Sequence, residues 1–379
     1  FKSGMRLRAV GGPSLDVLDD AGVGQFDQEP ELTWRRFSIA RNTGWRGLYR
    51  RGRELGTGQS AVAYEAFATA LRDDASSCSS CSPPDSDQEP PEQTVCSRRV
   101  VLKVFRAQGS VAFRQELKVM SWLGPHPHVA RLLEAFEGHC DDALVLEHCE
   151  LGDVYEYYVR RGARVREEHA AELVRQLLLA LHHLVNRRVQ HRDVKPENLL
   201  LYRPHDRYDV PLLKLADYGW ATISLLQAKP LGIPSTGVGS LLYAPPELNP
   251  PVPGVEPQDP DAAPLGSCDM WSVGVIAYLL MAGHSPFDAA LAIKDDLARE
   301  AEVLRRVALG AANYDCPYWL RLAPDVQEFC RALLRPRPQE RPSANLAMDR
   351  GFIKRAVRYA AVAEVSGRPR AEGRACWDG

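Results

Sequence analysis

The sequence predicts a two-lobed α+β protein in which a strand-rich part precedes a helix-rich part. Strand-like apolar runs lie at residues 49–67, 100–105, 129–136 and 143–147. Beyond residue 151 apolar residues recur at helical spacing, and helices are predicted at residues 166–186, 267–282, 291–309 and 324–334. The chain has 379 residues, of which 45% are hydrophobic, so it can bury a substantial core in each part.

The strand-rich part contains two features suited to binding phosphate groups. Gly56 and Gly58 flank Thr57 in a turn between two predicted strands, and glycine lacks the Cβ that would keep backbone amides away from phosphate oxygens. Lys103 lies near the end of the next strand, and Glu116 lies on the predicted helix Val111–Leu123. An ion pair between these two side chains would direct the lysine ammonium group at nucleotide phosphates.

Composition divides the chain into a folded domain and three other segments. Residues 1–48 have few periodic apolar positions and are predicted to be an N-terminal extension. Residues 71–99 are rich in serine, proline and acidic residues, so we expect a disordered insert there. The folded domain is predicted to span residues 49–354, and residues 355–379 a C-terminal tail.

Charge and cysteine content restrict the partners and the compartment. The chain carries 47 Lys and Arg against 49 Asp and Glu, a net charge of −2, so no overall positive field would attract nucleic acid or anionic lipid. The longest apolar stretch, residues 271–282, is shorter than the roughly 20 residues that a bilayer requires, which predicts a buried helix and no membrane partner. Nine scattered cysteines favour a reducing, cytoplasmic setting over a disulfide framework.

Three sequence motifs, in a fixed order, contain most of the residues from which a function can be predicted. They are HRDVKPENLL at residues 191–200, ADYG at residues 216–219 and APPE at residues 244–247. Together with the glycine turn and Lys103, they make the chain resemble the eukaryotic protein kinases from about Tyr49 to about Lys354. The resemblance implies a bilobal protein-kinase-like fold, with a small antiparallel-sheet N-lobe that has one main helix and a larger helical C-lobe.

The resemblance implies ATP and Mg²⁺ as cofactors and assigns roles to individual residues. Asp193 would orient and deprotonate the substrate hydroxyl, and Lys195 would offset charge on the phosphoryl group in transit. Lys103, held by Glu116, would contact the α- and β-phosphates. Asn198 and Asp217 would be the metal ligands, because both offer the hard oxygen atoms that Mg²⁺ prefers.

The implied nucleotide site contains thirteen residues: Gly56, Thr57, Gly58, Ala63, Val101, Lys103, Glu116, Leu146, Glu147, Cys149, Asp153, Leu200 and Asp217. Ala63 stands where the family usually has valine, and Val101 where it usually has alanine, so we expect the adenine pocket to be compensated in volume, with Leu200 closing it from below. Asp153 and Glu197 also occupy positions where related kinases hold basic substrate side chains, which favours arginine upstream of the target hydroxyl.

Further departures from the family pattern concern packing. Ala61 replaces the third glycine of the turn, which raises the question of whether that position needs a positive φ, and we expect alanine to be tolerated. Tyr218 replaces a phenylalanine and is predicted to stack between His191 and Met120, with a hydroxyl that needs a partner if it is buried. The alternative is a half-exposed tyrosine with no special effect. Glu247 is predicted to form a partly buried, structural ion pair with Arg341.

The resemblance favours an ATP-dependent kinase of protein Ser/Thr hydroxyls, because Lys195 and Ser240 fit that branch. A catalytically weak or inactive kinase-fold scaffold is the alternative. A small-molecule phosphotransferase is a third interpretation, which the segment ending in APPE disfavours.

The segment YDCPYW at residues 314–319 looks most like the calcium/calmodulin-dependent group. Residues 352–365 resemble a calmodulin target less than an ordinary terminal helix. Phosphorylation at Thr222, Ser224, Ser235 or Thr236, received by Arg192, is expected to order the loop after Asp217.

Overall fold

The computed structural model describes residues 5–9, 37–41, 45–69, 98–106, 110–138, 141–160, 164–203, 210–224, 238–260 and 262–356. The chain forms two compact units. One, here called the sheet unit, comprises residues 1–122 and 131–148, and the other, the helical unit, comprises residues 123–130 and 149–379. The predicted order of a strand-rich part before a helix-rich part is confirmed.

Seven strands form one antiparallel sheet in the sheet unit. They are β1 (Met5–Ala9), β2 (Phe37–Arg41), β3 (Tyr49–Thr57), β4 (Ala61–Ala68), β5 (Arg99–Phe105), β6 (Leu132–Glu137) and β7 (Ala143–Glu147). Their spatial order is β2-β1-β6-β7-β5-β4-β3, and every neighbouring pair is antiparallel. β1 and β2 extend the sheet beyond β6, although both lie in the stretch predicted to be an extension.

The two faces of this sheet are used differently because side chains alternate along each strand. Val100 and Leu102 of β5 are buried in a core with Trp45 and Tyr49. Trp45 comes from a 3₁₀ turn, Trp45–Gly47, and its Nε1–H donates to Asp141 at 3.1 Å. The predicted boundary at residue 49 therefore leaves out a residue that completes the core of this face.

The opposite face of β5 carries Val101 and Lys103. The main helix among the described residues of the sheet unit, α1 (Val111–Leu123), packs on this side, where the rings of Phe105 and Phe113 meet edge to face at 5.4 Å. The bounds of α1 are those that the apolar spacing predicted. This helix brings Glu116 to Lys103.

The helical unit is built mainly from helices and short strand pairs. Its helices are α2 (Glu167–Asn186), α3 (Val238–Leu241), α4 (Ser267–Ala282), α5 (Asp296–Leu309), α6 (Pro317–Arg321), α7 (Pro324–Leu333) and α8 (Ala344–Met348). Its strands are β8 (Val189–Gln190), β9 (Leu199–Tyr202), β10 (Leu212–Leu215) and β11 (Thr222–Ile223), paired as β10-β9 and β11-β8.

Helix α4 is the centre of this unit, because all of its residues are buried. It lies between Gly266 and Gly283, both in the left-handed conformation that glycine adopts most easily. This confirms the prediction of a buried core helix at residues 267–282. Across the described residues, no helix is both long and apolar enough to cross a membrane.

Two elements begin several residues later than predicted. β6 begins at Leu132 rather than at residue 129, because Val129 instead forms a bridge with Leu215 of β10. α5 begins at Asp296 rather than at residue 291, because the Asp295 side chain accepts a hydrogen bond from the Ala298 amide and caps the helix there. Residues 71–97 of the predicted insert, Ser235, Thr236 and the tail beyond residue 356 lie outside the described residues. Arg99, which was predicted to end the disordered insert, instead begins β5.

Candidate active site

Lys103 and Glu116 form a close ion pair in the sheet unit. Lys103 Nζ lies 2.8 Å from Glu116 Oε1 and 2.7 Å from Oε2. The glutamate side chain is almost fully buried, whereas the lysine side chain is 16% exposed. The pair therefore fixes the ammonium group while leaving part of it open to an anion.

The glycine turn joins β3 and β4 and is exposed at Gly56, Thr57 and Gly58. Gly56 pairs with Ala63 in the register, and the Gly58 amide donates to the Ala61 carbonyl at 2.9 Å. A Cβ added at Gly56 would meet nothing within 4 Å, and one at Gly58 would make only an ordinary 3.5 Å contact. The protein itself therefore does not require glycine at Gly56, which is consistent with a backbone surface kept open for a ligand.

Ala61, at the position of the third glycine, begins β4 and is buried. The described non-glycine residues with positive φ are Arg188, Arg192 and Asp217, so Ala61 adopts an ordinary strand conformation. The expectation that alanine is tolerated here is consistent with that geometry, because the backbone does not need a positive φ.

Several predicted adenine-pocket residues share one face of the sheet. Ala63 pairs with Lys103, and Val101 pairs with Glu65 on one side and with Leu146 on the other. Strand alternation thus places Ala63 and Val101 on the Lys103 face, both partly buried. Glu147 ends β7, and its amide donates to the Arg131 carbonyl at 3.0 Å.

The catalytic-loop residues converge in the helical unit. Lys195 Nζ lies 3.1 Å from Asp193 Oδ1 and 2.8 Å from Oδ2. Asn198 Nδ2 donates to the Asp193 carbonyl at 2.8 Å and to Oδ2 at 3.0 Å. The Asp193 side chain is 9% exposed and that of Lys195 is 18% exposed, so the carboxylate is held firmly without being sealed.

Asp269, on the buried helix α4, fixes the backbone that leads into this loop. Its two carboxylate oxygens accept hydrogen bonds from the amides of His191, at 2.9 Å, and Arg192, at 2.8 Å. Arg192 has a φ of 68°, which is costly for a residue with a Cβ. Such strain persists where surrounding contacts over-determine the backbone, a situation that is frequent at active sites.

Asp217 and Tyr218 follow the strand β10. Asp217 also has a positive φ, of 63°, and its Oδ1 accepts a hydrogen bond from the Gly219 amide at 3.3 Å. Tyr218 is fully buried, and its hydroxyl donates to the Leu215 carbonyl at 2.9 Å, so the extra hydroxyl has a partner. Its ring meets His191 edge to face at 5.0 Å and 62°, which corrects the predicted stacking geometry.

Asp153, Leu200 and Glu197 also lie in the helical unit. Asp153 and Leu200 form an antiparallel bridge. Burial raises the pKa of Asp153, while a hydrogen bond from the Glu156 amide opposes that rise. Glu197 is exposed, but partial desolvation of its carboxyl group raises its pKa, and the negative charges of Asp153 and Asp193 add to the rise while Lys195 opposes it. An approaching cation would stabilise both carboxylates.

Glu247 and Arg341 form the predicted ion pair, and it is fully rather than partly buried. Arg341 Nη1 and Nη2 lie 2.6 and 2.8 Å from the two Glu247 oxygens. The guanidinium also donates to the carbonyls of Ser267, Arg335 and Pro336. With every donor directed at the protein, this pair is structural and takes no part in chemistry.

The predicted residues therefore form two groups, one in each unit. The sheet unit contains the glycine turn, Ala63, Val101, Lys103, Glu116, Leu146 and Glu147. The helical unit contains the buried Cys149 together with Asp153, Asp193, Lys195, Asn198, Leu200 and Asp217. Sequence reasoning missed the positive φ of Arg192 and Asp217, for which the sequence carries no glycine or asparagine signal.

Comparison with known proteins agrees with this geometry. A family model described as "Protein kinase domain" matches residues 88–353, which leaves β3 and β4 outside the match. "Calcium/calmodulin-dependent protein kinase type 1" of Macrobrachium nipponense is 28% identical over 266 residues, 70% of this chain and 69% of that protein.

Two relatives from Arabidopsis thaliana are considerably longer than the matched region. "CDPK-related kinase 5" is 30% identical over 243 residues, 64% of this chain and 36% of that protein. "Serine/threonine-protein kinase ATG1a" is 34% identical over 229 residues, 60% of this chain and 32% of that protein. The family model covers well over half of the sequence. The chain therefore belongs to the protein kinase family, with serine/threonine kinases among its relatives.

Proposed function

We propose that this protein transfers the γ-phosphate of Mg·ATP to Ser/Thr hydroxyls of protein substrates. The observation that carries the proposal is the arrangement around Asp193, whose carboxylate is bound by Lys195 and Asn198 and which directly follows two residues whose amides donate to Asp269. Oδ2 accepts two of these hydrogen bonds and Oδ1 accepts one, so Oδ1 keeps more capacity to accept a substrate proton. A general base needs this combination of fixed position and open capacity.

The donor atoms of Asn198 and Asp217 fit Mg²⁺. Both side-chain hydrogen bonds of Asn198 described above come from Nδ2, which directs Oδ1 away from Asp193. Amide and carboxylate oxygens are hard ligands, and Mg²⁺ commonly takes one or two protein ligands and completes its shell with phosphates and water. When bound, the metal would neutralise charge on the phosphate oxygens.

The chain's own residues would act in one displacement. The substrate oxygen forms a bond to the γ-phosphorus, the bond from that phosphorus to the β–γ bridging oxygen breaks, and the hydroxyl proton passes to Asp193. Lys195 offsets negative charge on the moving phosphoryl group, and Lys103, fixed by Glu116, binds the α- and β-phosphates. The products are a phosphorylated side chain and ADP.

The preferred substrate carries a basic residue upstream of the target hydroxyl. The raised pKa values of Asp153 and Glu197 support this proposal, because a partly buried and an exposed carboxylate that repel each other gain stabilisation from a guanidinium group. A peptide pair that differs only by Arg or Ala upstream should show a higher kcat/KM for the arginine peptide. Glu197→Gln should reduce that difference; an unchanged preference would contradict the assignment.

Calmodulin is not the expected partner of residues 352–365. Phe352, Ile353 and Ala356 are already buried, and the Phe352 ring packs on Phe329 at 5.1 Å. An apolar face occupied inside the helical unit supports the ordinary terminal helix. A calmodulin pull-down with calcium tests this directly.

A cytoplasmic location is a further proposal, and the thiols of Cys268, Cys316 and Cys330, which form no disulfide among the described residues, are compatible with it.

The activity is tested by transfer of radiolabelled γ-phosphate to a Ser/Thr peptide library, with Asp193→Asn measured in parallel. We expect labelled peptides with the wild-type protein and a loss of roughly 10²–10⁴-fold with the variant. A wild-type protein that binds Mg·ATP but labels no peptide would favour the scaffold alternative instead.

A further inference from the structure

We propose that the loop at residues 249–264, here called the proline loop, is a docking segment for a domain whose aromatic-lined groove is flanked by Lys or Arg side chains. The segment lies in the helical unit between the 3₁₀ turn Pro246–Leu248 and helix α4. Phosphoryl transfer uses none of its residues. The proposal is independent of the kinase reaction.

The prolines of this loop are presented to solvent. All six of them are exposed: Pro250, Pro251, Pro253, Pro257, Pro260 and Pro264. By contrast, Val252 and Val255 are partly buried. The loop therefore directs its prolines outward and uses its valines for contact with the protein.

The spacing within residues 249–253 suits polyproline II recognition. Pro250 and Pro253 are three residues apart, and a polyproline II helix has three residues per turn, so in that conformation these two prolines would lie on the same edge. The residues that precede Pro250, Pro251 and Pro253 are restricted to extended conformations, and Asn249 has a φ of −95° and a ψ of 159°. The ligand conformation is therefore largely preformed, which lowers the entropy cost of binding.

Both ends of this proline segment are fixed. Asn249 Nδ2 donates to the Ala244 carbonyl at 3.2 Å, and its amide donates to the Pro246 carbonyl at 3.2 Å. After the segment, the Val255 amide donates to the Val252 carbonyl at 3.1 Å across a turn that contains Gly254 at a φ of 78°. Proline followed by glycine favours such a turn.

Charge specifies the kind of groove. The loop contains Glu256, Asp259 and Asp261, and the sequence has no Lys or Arg between residues 248 and 293. Aromatic grooves that bind proline-rich segments gain selectivity from charges beside the groove. An acidic loop therefore complements a groove flanked by cations and disfavours one flanked by carboxylates.

The test uses the full chain immobilised on a biosensor and probed with purified SH3, WW and EVH1 domains, chosen to include grooves flanked by either sign of charge. At least one domain with a cation-flanked groove should bind at micromolar concentration. Pro250→Ala should weaken that binding by about tenfold, as expected for loss of one anchoring contact worth about 1.4 kcal/mol. Glu256→Lys should also weaken it, and more strongly at low salt.

Pro264→Ala is the matched control, because it removes an exposed proline of the same loop outside the proposed contact. It should leave binding unchanged, and thermal unfolding should show that all variants remain folded. The proposal is overturned if no domain in the set binds below about 1 mM, if Pro250→Ala binds as well as the wild-type protein, or if carboxylate-flanked grooves bind best.

Discussion

Two ion pairs of the helical unit differ in how much of their hydrogen-bonding capacity the protein itself uses. Glu247 and Arg341 have side chains that are 1% and 0% exposed, and the guanidinium donates to the carboxylate and to three backbone carbonyls. Asp193 and Lys195 are 9% and 18% exposed, and the carboxylate keeps capacity to accept another proton donor. The Glu247–Arg341 pair therefore has a structural role, whereas the contacts of Asp193 leave room for the catalytic role that we propose for it.

The largest expected effect on stability comes from breaking the fully buried Glu247–Arg341 ion pair. Arg341→Ala would leave Glu247 buried without its partner, and such a change costs about 3–5 kcal/mol of unfolding free energy. Chemical denaturation measures it directly. The double variant Glu247→Gln with Arg341→Met should lose less stability than Arg341→Ala alone, because it leaves no buried charge unpaired. Equal losses would contradict the structural role of this pair.

Two glycines allow the same comparison between a position that the protein packs tightly and one that it leaves exposed. A Cβ at Gly274 of α4 would lie 2.8 Å from Leu333 Cβ, whereas one at Gly56 would meet nothing within 4 Å. Gly274→Ala should therefore destabilise the protein by about 1–2 kcal/mol through overpacking. Gly56→Ala should leave stability nearly unchanged and weaken ATP binding about tenfold if phosphate approaches that backbone.

Gly47→Ala is the control for Gly56→Ala, since Gly47 also has no neighbour within 4 Å of an added Cβ. Both variants should unfold at the wild-type temperature, and only Gly56→Ala should change the Kd for ATP. If Gly56→Ala binds ATP as tightly as the wild-type protein, the glycine turn does not cradle phosphate.

A group of three histidines in the helical unit, all at least partly buried, is expected to make stability depend on pH. The His126 and His183 rings stack at 4.6 Å, His128 Nδ1 lies 2.9 Å from the Leu213 carbonyl, and His183 Nε2 lies 3.0 Å from the Leu123 carbonyl. Burial, followed by the charges of neighbouring histidines and Lys214, lowers the pKa of His126 from 6.5 to about 4. Burial also lowers the pKa values of His128 and His183. The other charged or titratable groups that act on these rings are Glu172, Arg175, His182 and Arg187.

Because the folded state holds His126 neutral, the unfolded chain binds more protons between pH 6.5 and about pH 4. The contribution of neutral His126 to the free energy of unfolding is therefore fully present above pH 6.5, and it is lost as the pH is lowered from 6.5 to about 4. Since His126 is only partly buried, we expect its share to be about 1–2 kcal/mol. Urea unfolding across this pH range should show the fall, and His126→Gln should make the profile shallower. An identical profile in the variant would remove His126 from the explanation.

Tyr218→Phe should have the smallest effect. The hydroxyl donates to the Leu215 carbonyl, but that carbonyl also accepts a hydrogen bond from the Ala130 amide at 2.8 Å, so the variant leaves no buried acceptor without a partner. We expect a loss of at most about 1 kcal/mol in unfolding free energy. A loss above about 3 kcal/mol would mean that the Tyr218 hydroxyl has a role beyond this bond.

The sequence predicted an element correctly where residues within and beside that element determine its ends. Helix α4 has the predicted bounds because Gly266 precedes it, Gly283 follows it, and its residues are mostly apolar. β6 and α5 were misplaced at their starts because the Val129–Leu215 bridge and the Asp295 cap depend on contacts and conformations that the apolar pattern does not reveal. Trp45 was missed because one aromatic residue in an arginine-rich stretch gives no periodic signal.

Contacts of the candidate site differ in how far the sequence predicts them. The strand before Lys103 and the apolar spacing of helix α1 predict the Lys103–Glu116 ion pair, which the structure shows. The roles assigned to Asp193, Asn198 and Asp217 come from the resemblance and stay predictions. The positive φ values of Arg192 and Asp217, and the edge-to-face contact of Tyr218, arise from tertiary contacts that no local pattern encodes.

The most direct measurement is the single-turnover rate of phosphoryl transfer at saturating Mg·ATP for the wild-type protein and Asp193→Asn, with thermal unfolding of both. If Asp193 is the general base, we expect the rate to fall by roughly 10²–10⁴-fold in the variant while the unfolding temperature stays within about 2 °C of the wild-type value. A variant that keeps the wild-type rate, or that loses the rate only because it unfolds, would contradict the assignment of Asp193 as the base.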